Sequence, residues 1–348
     1  MARRPEVAAV KAPLELDRRS ILAYRQQVGA LAERLPCGKR SLRRIAWCGL
    51  QDSVPRAALL SIHARIRGAS SSSWEDPALV QVWGPRFSVY AVATEDRGLF
   101  TVARLPESGA ARERAETIFA RLEALLGGGR LRDREIGEAL GVDSNLLRYS
   151  ALTGRVLIRW DGARAPELWI VPAPHVDPDR ACRELAKRHL HILGPTTPEA
   201  FGRWAGIRSR GEAVFKALRR SLAPVRTPQG EAWILRADEP AFRAARTLAT
   251  GTRFLPSGDA YLLAGDRELL VADAARGREL WPPATVWPGG LLVDGELVGT
   301  WRRSQERVSI RPWRTLTKAK RAETEAEAAA LPLPDLKKSI TVIWEDRK

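Results

Sequence analysis

The side chains best supplied for chemistry in this chain are guanidinium groups. Lys and Arg number 57 against 41 Asp and Glu, so the 348 residues carry 57 − 41 = +16, and the isoelectric point is near 10.6. Such a surface attracts polyanions and releases counterions from a phosphate backbone on binding. A plainer origin is a composition that favours Arg, whose excess then only solvates the surface. Clustering separates the two readings. Arg148, Arg155 and Arg159 form one group, and Arg208, Arg210, Lys216, Arg219 and Arg220 form another. Each of these taken singly reads as a solvated side chain. Recurring at similar places in the pattern described next, they fit phosphate contacts, which position a protein on a nucleic acid without reading its sequence. Metal and disulfide chemistry are not expected. Cys37, Cys48 and Cys182 are too few and too scattered, and there are four histidines in all. His189 and His191 flank Leu190 on different faces of a helix, so they do not form a ligand pair. His63, on the helix after Pro55, could face a site there, but a packed helix histidine is the favoured reading.

The elements that must carry these groups recur along the chain. Apolar spacing predicts helices over 112–126, 132–140 and 144–152, with Asp143 or Ser144 as a cap, then strands over 155–160 and 168–171 around Asp161-Gly162. A second copy has helices over 180–193, from Pro198 onward behind the cap Thr197, and over 209–218, with strands flanking Thr227-Pro228-Gln229-Gly230. A looser copy opens the chain, with helices over 17–32, 41–50 and 55–67 and strands over 79–83 and 88–92. Helices followed by a hairpin are the arrangement of a winged helix-turn-helix, in which the third helix enters the major groove.

After Thr250 the texture becomes short apolar runs at 254–256, 261–263, 269–271 and 285–287, a hairpin around Asp294-Gly295 and a strand over 308–313. These predict a small β-barrel-like domain. A charged helix over 317–330 and a strand over 340–344 follow. The expected fold is thus mainly α (α+β): three tandem winged helix-turn-helix units at 14–106, 110–174 and 176–240, a β domain at 250–316, and a helix and tail at 317–348. Residues 1–6 have charge but no apolar core behind them, so no secretory signal is expected. No window approaches the roughly 18 unbroken apolar residues of a membrane span. A soluble, cytoplasmic, nucleoid-associated monomer without cofactor is expected.

Three stretches carry a resemblance that spans nearly the whole chain, roughly residues 16–331. They are Gly49-Leu50-Gln51-Asp52-Ser53-Val54-Pro55-Arg56; His191-Ile192-Leu193-Gly194-Pro195 through Phe201, with Trp204-Ala205-Gly206; and Phe254-Leu255-Pro256-Ser257-Gly258-Asp259, continuing to Val293-Asp294-Gly295 and Gly299-Thr300-Trp301. In these the chain resembles the winged-helix DNA-binding proteins that include the bacterial DNA glycosylases AlkZ and YcaQ. The resemblance implies a concave channel of DNA width and removal of bulky alkylated bases, including those in interstrand crosslinks. It also implies a catalytic motif of two polar residues separated by one, Gln first and Gln or Asp second, which falls on Gln51-Asp52-Ser53. Double-stranded DNA, alkylated or crosslinked, is the implied partner, with Arg56 and Arg86 added to the basic residues that would hold it.

Those residue types suit glycosidic cleavage. Breaking the bond builds oxocarbenium-like charge on the sugar while water approaches the anomeric carbon. A carboxylate can stabilise the charge and take the water's proton, and a Gln carbonyl can orient the water. The chain departs from the motif in two places. Ser53 stands where Gln or Asp is expected, and a family Arg-Gly-Thr-x-His stretch reads Arg86-Phe87-Ser88-Val89-Tyr90. Asp52 could replace the carboxylate, or Asp52 or Ser53 could cap the helix that follows. Two functions stay open: a monofunctional DNA glycosylase, or a non-catalytic DNA-binding protein of the same fold, either damage sensor or regulator. RNA binding fits less well, since no aromatic stacking sheet motif is present.

Overall fold

A computed structural model describes residues 13–106, 108–162, 164–283, 285–334, 336 and 338–345. Residues 1–6, and the last three residues of the 317–348 tail, lie outside the described residues.

The 176–240 stretch contains helices Pro178–Leu193, Pro198–Ala205 and Gly211–Leu218, then strands Leu222–Thr227 and Gly230–Leu235 paired antiparallel. Caps explain where the helices start. The Asp177 side chain accepts from Arg180 N and the Thr197 hydroxyl from Ala200 N, each ahead of a proline at the first helical position. Leu185, Leu190, Phe201, Val214 and Phe215 meet in one core.

The 110–174 stretch has helices Ala110–Leu126 and Asp133–Leu140 and strands Val156–Arg159 and Glu167–Ile170. Between them, the run Ser144–Thr153 is a 3-10 helix where an α-helix was expected. Ser150 Oγ donates to Leu147 O at 2.6 Å and Thr153 Oγ1 to Ser150 O at 2.8 Å. Both bonds span three residues, the repeat of the tighter helix.

In the opening stretch the helices are Arg18–Val28, Lys39–Ile45 and Ala57–Arg65, and the hairpin is Leu79–Trp83 with Val89–Ala93. The helix expected over 41–50 stops at Ile45, and Leu50–Gln51 is a short strand. Gly49 turns the chain into that strand. Its φ is +73°, and a Cβ there would meet the Tyr90 ring at 2.8 Å and the Phe100 ring at 2.9 Å.

Sheet pairing joins these stretches. One six-stranded sheet runs Leu50–Gln51, Val89–Ala93, Leu79–Trp83, Val156–Arg159, Glu167–Ile170, Leu131–Arg132. It is sewn across its middle by Gln81 opposite Ile158. The helix Arg18–Val28 also packs against residues far along the chain. Tyr24 stacks on Phe242 with ring centroids 3.6 Å apart. The buried Arg25 donates to both Asp266 carboxylate oxygens, at 2.8 and 2.7 Å.

The expected barrel-like C-terminal domain is instead an open five-stranded sheet: Thr252–Leu255, Gly289–Val293, Glu296–Ser304, Arg307–Pro312, Thr341–Trp344. The first and last of these strands are edges, and the helix Lys318–Ala329 packs beside Thr252–Leu255. Three of the short apolar runs are not strands. Residues 261–263 lie in the 3-10 helix Ala260–Leu263, 269–270 end the helix Arg267–Leu270, and 285–287 are irregular. A further helix, Ala274–Leu280, was not anticipated. Short apolar runs cannot by themselves separate strand from buried helix. Here Asp259 accepts from Tyr261 N, and Asp273 from Ala275 N and Arg276 N, which starts helical turns. No helix among the described residues is long and apolar enough to cross a membrane.

Candidate active site

The turn between Gly49 and the helix Ala57–Arg65 is short and extended at Gln51, so successive side chains point to opposite sides. Asp52 points inward and is 3% exposed. Its Oδ1 accepts from Ala58 N at 2.9 Å, and its Oδ2 accepts from Gln81 Nε2 at 2.7 Å. Asp52 therefore caps the helix, as one of the two expectations had it. Burial pushes its carboxyl up to about 6, against the pull of the Ala58 amide, the Gln81 amide and the charges of Arg56 and Arg159. Gln81 is itself saturated: it also donates to Trp160 O at 3.0 Å and accepts from Trp160 N at 2.7 Å. The turn is thereby tied to the hairpin of the 110–174 stretch.

Gln51 and Ser53 lie on the outer side. Gln51 Oε1 accepts from Arg86 Nη2 at 3.0 Å and from the Tyr90 hydroxyl at 3.3 Å. Its amide end rests on Gly258, where a Cβ would come within 2.9 Å of Gln51 Nε2. The loop carrying Gly258 is fixed from below. Arg65 donates to both oxygens of the fully buried Asp259 at 2.7 Å, and Ser61 Oγ adds a third bond at 2.7 Å. Burial alone would raise the Asp259 carboxyl, but the Arg65 guanidinium outweighs it and holds it below the usual carboxylate range.

Ser53 is exposed and lines a cleft of about 350 Å³ whose walls also include Arg86, Ser88, Asp133, Arg148 and Trp160. Gln51 is not on that wall, but its partner Arg86 is. Further cations gather nearby. Burial lowers the Arg267 guanidinium, with Arg86 and Arg203 adding repulsion, and burial lowers Arg303, with Arg56 adding to it. Arg86 and Arg148 are the two arginines of the sequence reading that border the cleft.

The remaining basic residues divide. Arg56 and Arg159 lie over the Trp74 ring at 5.2 and 3.9 Å, and Arg159 also pairs with Glu75. Arg155 lies 3.6 Å over Phe119 and pairs with Glu116. Arg210 donates to Asp179 at 3.1 Å and to two backbone carbonyls. Arg208, Lys216, Arg219 and Arg220 are exposed, and Arg219 lies 4.6 Å over Trp233. His63 is buried with Nε2 3.2 Å from Glu327 Oε1. His189 packs among Phe201 and Trp204, and burial lowers it to about 3, whereas His191 faces Asp238. Among the described residues no group of three or more His, Cys, Asp or Glu could hold a metal ion.

Sequence reading missed four contributors: Tyr90 and Gly258 against Gln51, Gln81 against Asp52, and Asp133 in the cleft. Gly258 had a signal, since it stood inside one of the three motif stretches. Gln81 sat mid-strand among apolar residues, where a polar side chain facing inward demands a partner. Tyr90 had one too, since it stands in the place of the His in the family's Arg-Gly-Thr-x-His stretch, whereas Asp133 had none.

A search of curated proteins gives no match. A solved structure of a Streptomyces sahachiroi DNA glycosylase AlkZ is similar to this chain at a TM-score of 0.76 and 20% identity, over 95% of this chain and 100% of the other. That likeness is one of fold. The family model "DNA glycosylase AlkZ-like" matches residues 44–332, which takes in the Gln51 turn, the cleft and the Gly258 loop. The chain therefore belongs to the AlkZ-like DNA glycosylase family.

Proposed function

We propose that the protein is a monofunctional DNA glycosylase that hydrolyses the N-glycosidic bond of bulky or alkylated bases in duplex DNA. It would act as a monomer with neither metal nor cofactor, in the cytoplasm at the nucleoid. Three winged-helix units at 14–106, 110–174 and 176–240, with the C-terminal regions 250–316 and 317–348, would form the DNA channel. The observation that carries the reading is Gln51, a polar side chain held by Arg86 and Tyr90 beside a cationic cleft. Bonds from Arg86 and Tyr90 leave the Gln51 amide group fixed in orientation, as a water-positioning dipole must be. An alkylated base is already cationic and a good leaving group, so modest catalysis suffices. Asp52, with both oxygens engaged, sets the turn so that Gln51 and Ser53 share one side. Arg148, Arg208, Lys216, Arg219 and Arg220 are the DNA contacts best placed by exposure. Arg56, Arg155, Arg159 and Arg210 have intramolecular partners and would reach phosphate less freely.

A second reading, a DNA-binding protein without catalysis, draws on Ser53 and on the engagement of Asp52. Base release from duplexes carrying N7-methylguanine, N3-methyladenine or a bulkier N7 adduct separates the two. Release by the wild-type protein supports the glycosylase. DNA binding with no release from any of these substrates supports the binding protein.

A further inference from the structure

We infer that Asp133 supplies the carboxylate that the motif lacks at Ser53, serving as the catalytic base in the cleft; this rests on the glycosylase reading. Ser53 and Asp133 line the same cleft from two different stretches of chain, and among the described residues Asp133 is the sole carboxylate lining it. An acidic residue in the first turn of a helix ordinarily serves the helix dipole. Here that end is already served, because Glu135 accepts from Arg132 N at 2.8 Å. One Asp133 oxygen interaction goes to the Arg134 amide, yet Oδ1 is buried with no hydrogen-bond partner. A buried carboxylate oxygen without a partner is unusual enough to need a reason. Burial holds the Asp133 carboxyl above its ordinary range, offset by the Arg134 amide and by the charges of Arg134 and Arg148. Its backbone is fixed by Asp133 N donating to Pro166 O at 2.9 Å. Arg148 on the same wall gives a cation to hold the DNA phosphate beside it.

In the step, water adds to the anomeric carbon as the C1′–N bond breaks. That bond's electron pair leaves with the cationic base, which departs neutral. The water's proton passes to the Asp133 carboxylate and then to solvent, so atoms and charge balance. Asp133 accepts the proton inside the cleft, and Gln51, outside its lining, acts there through Arg86, which it holds at 3.0 Å and which borders the cleft.

Single-turnover release of N7-methylguanine from a duplex tests this with the full chain, alongside affinity for the same duplex. Asp133→Asn is expected to lower the rate about 100-fold, the range of a lost general base, with affinity and melting temperature unchanged. Asp133→Glu, or Ser53→Asp added to Asp133→Asn, should recover about tenfold by returning a carboxylate to the cleft. If Asp133→Asn unfolds, Asp133→Ser carries the same test. A wild-type rate in the folded variant overturns the Asp133 role and leaves the glycosylase standing. So does a loss matched by lost affinity, or failure of both rescues. No release by the wild-type protein overturns both.

Discussion

Gln51 is held by Arg86, Tyr90 and Gly258, and the proposed chemistry depends on that hold. Gln51 was legible in the sequence through the motif, and so was the alternative that Asp52 caps a helix. That Asp52 turns inward while Ser53 reaches the cleft was not legible, because it turns on where the strand ends and Gly49 bends the chain. Asp52 offers a residue-level test. The folded protein keeps its proton up to about pH 6, whereas the ordinary value is 3.8. Between these the folded state binds the extra proton, so Asp52 withdraws stability as pH rises from about 4 to 6. Asp52→Asn lacks that titration. Denaturant unfolding of both proteins should show the difference moving in the variant's favour by about 2–3 kcal/mol across that window. A pH-independent difference would mean that folding does not raise the Asp52 carboxyl.

At the scale of elements, apolar spacing and caps located most of the helices of the first 240 residues and the hairpins beside them. It failed where short-range side-chain bonds to the backbone decided the outcome. The run Ser144–Thr153 tightened into a 3-10 helix through its own hydroxyls, and Asp259 and Asp273 turned apolar runs into helical turns. The Gly258 loop holds Gln51 by packing directly against its amide. Gly258 has φ +76° and packs on Gln51 Nε2. Gly258→Ala adds a methyl group there in a left-handed conformation, at about 1–2 kcal/mol of strain. Base release should fall tenfold or more, with duplex affinity kept. Full activity in that variant would show that Gln51 is not held by this loop.

For the whole molecule, the +16 charge pointed to a polyanion, and the family to DNA. Long-range assembly stayed hidden from the sequence. The docking of Arg18–Val28 on Phe242 and Asp266 and the shared six-stranded sheet pair residues far apart in the chain. An open sheet rather than a barrel follows from its two unpaired edge strands. Duplex affinity should drop steeply with salt. Changing Arg208, Lys216 and Arg220 together to Ala should reduce the slope of log K against log salt by up to about 2.7, near 0.9 for each lost phosphate contact. An unchanged slope would place the DNA on another face.

The most direct test is single-turnover base release by the wild-type protein and by Gln51→Ala on one alkylated duplex, with affinity measured in parallel. Release by the wild type, slowed on the order of 100-fold by the substitution at unchanged affinity, is the predicted result. Equal rates in the two proteins would contradict a catalytic Gln51.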